Sequence, residues 1–366
     1  MALRPSRRQL RTAAVLATAA AAVAAPLAGS AAAATSNGPR VTTVAHVPQG
    51  PLHLAVENGA FYVVSASVAE EGPPGTGLLT KVANGHQTTL VRVPKGEVAG
   101  VSVQKGRISY TTSSQAFVGA RQLTKHGSVS IGNTLGFEKS HNPDHKVSYA
   151  LQGLSKSCIN KLPKSPVGPR PYKGIIDSHP YSILDTGAKR FIADAAGNDI
   201  LQVTSHGLRT VALLPPFAIT VTPAIAKAQH MPSCVIGHKY NFEPVPTDIE
   251  LGPDGLLYVS ALTAAVFTGA PAGEVFTVNP NTGAVRLFAA GFNGATGLAV
   301  TGNGTVYVAE LFGNRISRVQ NGHPTPFLAV SSPGDVEWDQ TTKPGSLFAT
   351  TDALNPQGGN LIRVQP

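Results

Sequence analysis

The sequence predicts an all-β chain folded as a six-bladed β-propeller of four-stranded blades, and three observations carry that expectation. Charged residues make up 13% of the 366 positions, while Gly (38) and Pro (29) are abundant. That balance argues against coiled coils, helical bundles and charge-rich disordered tails, and suits turn-rich β structure. Short β-branched runs separated by Gly-containing turns recur along the chain, and no helical periodicity lies between the copies.

The first 34 residues read as an address and are set aside from the fold. Residues 1–11 carry Arg4, Arg7, Arg8 and Arg11, residues 12–25 form an apolar Ala/Val/Leu run, and residues 30–34 are small. This is the three-part pattern of a secretory signal, and Ser6 to Arg11 also resembles a twin-arginine export signal. The apolar run falls short of the ~20 residues of a spanning helix, so a secreted protein without a transmembrane segment is expected. Four of the basic residues behind the net charge of +9 lie in this leader. What remains is spread thinly with no aromatic ladder, which argues against a nucleic-acid partner.

Residues 35–366 organise as one repeating domain. The clearest unit runs from Val245 through Pro253-Asp254-Gly255 to Ala289, and the next repeats it from Ala295 through Gly302-Asn303-Gly304 to Val319. Each reads as strand, hairpin, strand, loop, strand, because Asp-Gly and Asn-Gly tolerate the positive φ of tight hairpin turns. Other copies begin at Pro51, Val98, Pro180 and Pro333, which makes six. Residues 41–44 precede the first copy and residues 361–364 end the last, so the N-terminal strand should complete the final blade and close the ring. Seven blades, one of them drawn from residues 113–175, is the alternative. Insertions are expected at about 113–175 and 216–243. They hold Cys158 and Cys234, the only cysteines, and in an exported chain a disulfide between them is favoured over two buried thiols.

The run Gly174 to Ser182, the stretch Ala193 to Leu201 and the segment Val245 to Ile249 resemble the ScyD/ScyE family of exported propeller proteins, along nearly the whole chain after the leader. Asp194-Ala-Ala-Gly-Asn198 and Glu310-Leu-Phe-Gly-Asn314 resemble the strand-to-turn signature of NHL-type repeats. The resemblance implies fold and export; it implies no activity, because folds host many chemistries.

No Gly-x-Ser-x-Gly elbow, His-Glu-x-x-His helix or Cys-x-x-Cys pair occurs. Chemistry, if any, is expected at the channel mouth, where equivalent positions of successive blades converge. Aligning the copies places His53, Gly100, Ser182, Asp248, Gly297 and Asp335 on one ring, and Ser65, Thr112, Asp194, Ala261, Glu310 and Thr351 on a second. The carboxylates are hard oxygen donors of the kind that hold Ca²⁺, with Asp248 and Asp335 as the metal candidates; the competing reading has them bond nearby backbone amides. His53 and His179 are the candidates for moving protons. Lys156, Lys161, Lys164, Arg170 and Lys173 in the first insertion suit either a solvated loop or contact with an anionic cell-envelope component.

The function expected on these grounds is a secreted scaffold that binds a small molecule or an extracellular partner and performs no chemistry of its own. A Ca²⁺-dependent lactonase or esterase acting from the channel is the alternative. A quinone-dependent redox enzyme ranks last, because the inferred rings contain no Lys or Arg.

Overall fold

The computed structural model describes residues 38–66, 75–263, 271–339 and 345–365; the leader expected over residues 1–34 lies outside them. Six four-stranded antiparallel blades follow one another along the chain, the first two joined into one sheet by a parallel pairing of Thr76 with Gly96. Blade 1 comprises Gly50–Glu57, Ala60–Ala66, Thr76–Ala83 and His86–Pro94, and blade 2 comprises Gly96–Gln104, Arg107–Ser114, Val118–Thr124 and Gly127–Gly132. Blade 3 is built from Pro180–Asp185, Arg190–Asp194, Asp199–Thr204 and Gly207–Leu213. Blade 4 is built from Pro246–Leu251, Leu257–Ala261, Gly273–Val278 and Val285–Phe292, and blade 5 from Ala295–Val300, Val306–Glu310, Arg315–Gln320 and His323–Ala329. Blade 6 takes Val336–Asp339, Ser346–Thr351 and Gly359–Gln365, and its outermost strand is Arg40–Val47 from the other end of the chain, paired antiparallel with Gly359–Gln365.

Local sequence explains the hairpins. Asn58-Gly59, Asn84-Gly85, Lys105-Gly106 and Asn321-Gly322 all sit at positive φ, the geometry that two-residue turns between twisted strands require. The first-in-blade strands are buried on both faces, as in the unbroken burial of Pro180–Asp185 and Ala295–Val300, whereas the outer strand His86–Pro94 is mostly exposed. These innermost strands pack on one another in sequence order and the sixth returns to the first. Apolar layers fill the seams between blades. Phe191 and Ile200 of blade 3 meet Ile249 and Phe276 of blade 4, and Leu54 and Phe61 of blade 1 meet Phe348 and Leu361 of blade 6. Each blade therefore buries its faces against its two neighbours, and ring closure leaves no seam open.

The seventh blade considered for residues 113–175 does not form. Residues 118–132 supply the two outer strands of blade 2, and the departure from the repeat begins at Asn133, whose side chain caps the helix Thr134–His141. The two excursions, after blade 2 and after blade 3, meet in a seventh small sheet outside the ring, ordered Tyr172–Lys173, Ser148–Leu151, Lys239–Phe242, Phe217–Thr220. Cys158 and Cys234 form a disulfide across 76 residues, inside a cluster of Leu151, Leu162, Val221, Ala226 and Val235. Among the described residues no helix is long and apolar enough to cross a membrane.

This small cluster depends on its staple. Closing a loop of 76 residues restricts the unfolded chain by as much as about 4–5 kcal/mol. Cys158→Ser with Cys234→Ser is expected to lower the melting temperature and to open residues 145–175 to proteolysis before the blades, read by mass mapping of a limited digest.

Candidate functional site

Five of the six innermost strands carry the same irregularity near their start. The register with the second strand shifts between Pro51 and His53, Val98 and Val101, Pro180 and Ser182, Pro246 and Asp248, and Ala295 and Gly297. Such a bulge bends a strand and re-aims the residue beside it. Here it presents the aligned ring position to the axis, and Asp335, just before Val336–Asp339, completes the circle. The structure brings the first-ring residues together as the alignment expects. Two of them must be glycine: a Cβ on Gly297 would lie 1.9 Å from Oδ1 of Asp335, and one on Gly100 would lie 2.6 Å from Cα of Ser182.

The polar members are buried and bonded to one another across blades. Asp248 accepts the amides of Ile249 in its own blade and Leu298 in blade 5, each at 2.8 Å, and the Ser182 hydroxyl of blade 3 at 2.9 Å. Asp335 accepts the amides of Val336 and, from blade 1, Leu54, also at 2.8 Å. His53 spans the axis: Nδ1 lies 3.1 Å from Oδ2 of Asp335, and Nε2 lies 3.1 Å from the Thr247 carbonyl of blade 4 and 3.8 Å from Oδ1 of Asp248. A carboxylate and a carbonyl only accept, so both ring nitrogens carry protons and the imidazole is cationic. Burial alone would push the His53 pKa down, but Asp335 and Asp248 carry it up to about 9. Burial and the charge of Asp335 raise Asp248 to about 6, against the pull of His53 and the two amides.

Glu250 and Glu337 project two residues further along the same strands; burial and the charges of Asp248 and Asp335 raise Glu250 well above the usual carboxylate range, and burial with the charges of Glu250, Asp335 and Asp248 does the same to Glu337. The second ring is used differently. Asp194 accepts the His179 amide at 2.7 Å, the Ser178 hydroxyl at 2.6 Å and the amide of Gly197 at 3.1 Å. Glu310 accepts the Asn293 amide at 2.7 Å, both arms of Arg315 and the hydroxyl of Ser317. Each of these acids ties the end of its blade's second strand to the loops around it and takes no part in the His53 cluster.

His179 meets a partner that the alignment does not single out. Its Nε2 lies 2.7 Å from Oε2 of Glu97, with 13% of the His side chain and 29% of the Glu side chain exposed. Burial opposes both charges, yet the pair holds His179 up and Glu97 down from their ordinary values. The Tyr181 ring stands edge-on between His179 and His53, 5.7 Å from each centroid. Glu97 and His179 each stand one residue before the aligned starts at Val98 and Pro180, so they are equivalent positions of neighbouring blades and the sequence could have flagged the pair. Of the basic residues in the first insertion, Lys156, Lys161, Lys164 and Lys173 are exposed, whereas Arg170 is committed to the Leu162 carbonyl at 2.7 Å and 3.0 Å.

Asp335→Ala would strand the amides of Leu54 and Val336 beside an unpaired His53, and is expected to cost about 3–5 kcal/mol in a denaturant titration; Gly297→Ala is expected to cost about 2–3 kcal/mol. A histidine raised by folding to about 9 from 6.5 stabilises fully below its unfolded pKa and loses that contribution as pH rises through its folded one. Stability should therefore fall between about pH 6.5 and 9 by roughly 3 kcal/mol from this group. His53→Gln should be less stable at pH 6 and flatter in that window than the unsubstituted chain.

No protein-family model and no curated protein matches the chain. Solved propeller structures are similar to it along most of its length. A catalytically inactive virginiamycin B lyase from Staphylococcus aureus, with quinupristin, is 13% identical, covers 90% of this chain and 99% of its own, and superposes with a TM-score of 0.50. A gluconolactonase from Xanthomonas campestris is 13% identical, covers 93% and 99%, and gives 0.51. A protein of unknown function from Bacteroides thetaiotaomicron is 12% identical, covers 90% and 76%, and gives 0.52. At these identities the likeness is one of fold, and the fold it supports is the β-propeller.

Proposed function

We propose that this chain is a secreted propeller of the ScyD/ScyE type that serves as a binding scaffold and performs no chemistry in its channel. One observation carries the reading. The residues that a channel enzyme would use are committed to holding blades together: Asp248 and Asp335 each accept amides of two blades, and His53 bonds to two further partners across the axis. A carboxylate with its lone pairs filled by fixed amides makes a poor general base and a poor cation ligand. The surface elaborated beyond the repeat is the stapled sheet formed by the two excursions, with Lys156, Lys161, Lys164 and Lys173 exposed. Their charge suits an anionic partner such as a cell-envelope polymer, and the leader over residues 1–34 would deliver the protein to it.

A lactonase or esterase reading is favoured by a different observation, the His179–Glu97 pair. It is accessible, and a histidine held by a carboxylate is the arrangement of a general base. The two readings separate cleanly. The protein should sediment with an anionic cell-wall polymer at about 50 mM salt and release at several hundred millimolar as charges are screened. Lys156→Glu with Lys161→Glu and Lys164→Glu should abolish retention while leaving the melting temperature within a degree or two. Hydrolysis of lactones or p-nitrophenyl esters that disappears in His179→Ala and survives in the triple Lys variant would replace the scaffold with the enzyme.

A further inference from the structure

A third set of acids, sharing Asp194 with the second ring, lies where the first excursion returns to blade 3. Glu138 comes from the helix Thr134–His141, Asp144 from the turn after it, Asp177 from the approach to blade 3, and Asp194 and Asp199 flank the turn between that blade's second and third strands. All five are buried. Asp194 is satisfied by the amides and hydroxyl already described, and Tyr149 and Asn198 donate to Oδ2 of Asp144 at 3.0 Å and 3.3 Å. Glu138 and Asp199 differ. Both are 0% exposed, and none of their four carboxylate oxygens has a hydrogen-bond partner.

These oxygens converge. The point where Gly197 would carry a Cβ lies 3.2 Å from Oε1 of Glu138, 3.3 Å from Oδ1 of Asp199 and 3.3 Å from Cγ of Asp194. Everything that acts on the two unpartnered acids pushes the same way. Burial, then Asp194, Asp144 and Asp177, raises Glu138 to about 8, and burial, then Asp194, Glu138 and Asp144, lifts Asp199 well above its ordinary value. A fully buried carboxylate without a partner costs several kcal/mol, and two side by side repel as well. Among the described residues no three such groups stand at ion-gripping spacing, so binding has to draw Glu138 and Asp199 together about the ion.

We infer that Glu138 and Asp199, with Asp144 and Asp194 beside them, form a divalent-cation site that takes Ca²⁺ and pins the stapled excursion to blade 3. All the donors are hard oxygens, and their number and charge suit the six to eight oxygens of Ca²⁺ better than the water-rich shell that Mg²⁺ retains. Gly197 leaves the space: a side chain there would push between the three carboxylates. The ion also gives Glu138 a reason to be where it is, at the centre of a helix that otherwise brings an uncompensated charge into the interior.

The test is calorimetric titration of EDTA-stripped protein with CaCl₂ at pH 7, alongside melting temperatures in EDTA and in CaCl₂. One ion per chain and a melting temperature a few degrees higher at ~100 times Kd are expected. Glu138→Gln and Asp199→Asn should each weaken binding at least ~10-fold, since affinity follows ligand charge. The double variant should be indifferent to EDTA and, with the repulsion removed, should melt above the metal-free unsubstituted protein. Asp248→Asn serves as the control and should bind with unchanged stoichiometry and Kd. Absence of binding heat together with identical melting curves in EDTA and CaCl₂ would overturn the site, and would mean that shared protons hold the cluster. Binding that survives in the double variant, or is lost in Asp248→Asn alone, would also overturn it and would place the ion elsewhere.

Discussion

Six strands converging on one axis leave too little room for six ordinary side chains, and the rest of the molecule is arranged around that constraint. Gly100 and Gly297 give up their side chains, and His53, Ser182, Asp248 and Asp335 fill the remaining space. Filling it with polar groups is costly unless every lone pair and proton is placed. The bulge near the start of five of the six strands eases the problem, because it turns the ring residue inward and exposes amides to the neighbouring blade. Asp248 reaches the Leu298 amide, and Asp335 reaches Leu54 in the same way. A cation at His53 then balances two carboxylates that could not otherwise both stay ionised at that separation.

The sequence made the repeat legible because each blade solves the same problem with the same spacing. Hydrophobic strand cores, Asn-Gly turns, the strand shared between the two chain ends and the ring of His53, Ser182, Asp248 and Asp335 all come from aligning copies. The disulfide followed from counting two cysteines in two insertions. The use made of the ring was not legible, since the partners of Asp248 and Asp335 are backbone amides and a sequence does not say where an amide points. Asp194 and Glu310 aligned with each other for a sound reason, but that reason is local: each acid organises the turn after its own strand, as the Arg315 pair of Glu310 shows.

What lay outside the repeat was harder still. Glu138 meets Asp199 because residues 133–174 loop away and return. No periodicity links these two positions, and their separation along the chain carries no signal. The cue available in the sequence was compositional: a helix that carries Glu138 among Lys139, His141 and other polar residues gives no hint of which side faces inward.

The two acidic centres show how differently one fold can treat buried charge. In the channel, Asp248 and Asp335 meet amides and an imidazolium, so their charge is neutralised by groups fixed in place by the blades themselves. At the root of the excursion, Glu138 and Asp199 meet only other acids. The excursion lends Phe137 to the seam between blades 2 and 3, and otherwise has its own small apolar core and one covalent staple. A segment so lightly packed needs another hold on the ring. Charge that cannot be compensated from within the chain supplies it, provided that something positive comes from outside. The channel is thus built to stand alone, and the junction with the excursion is built to be completed.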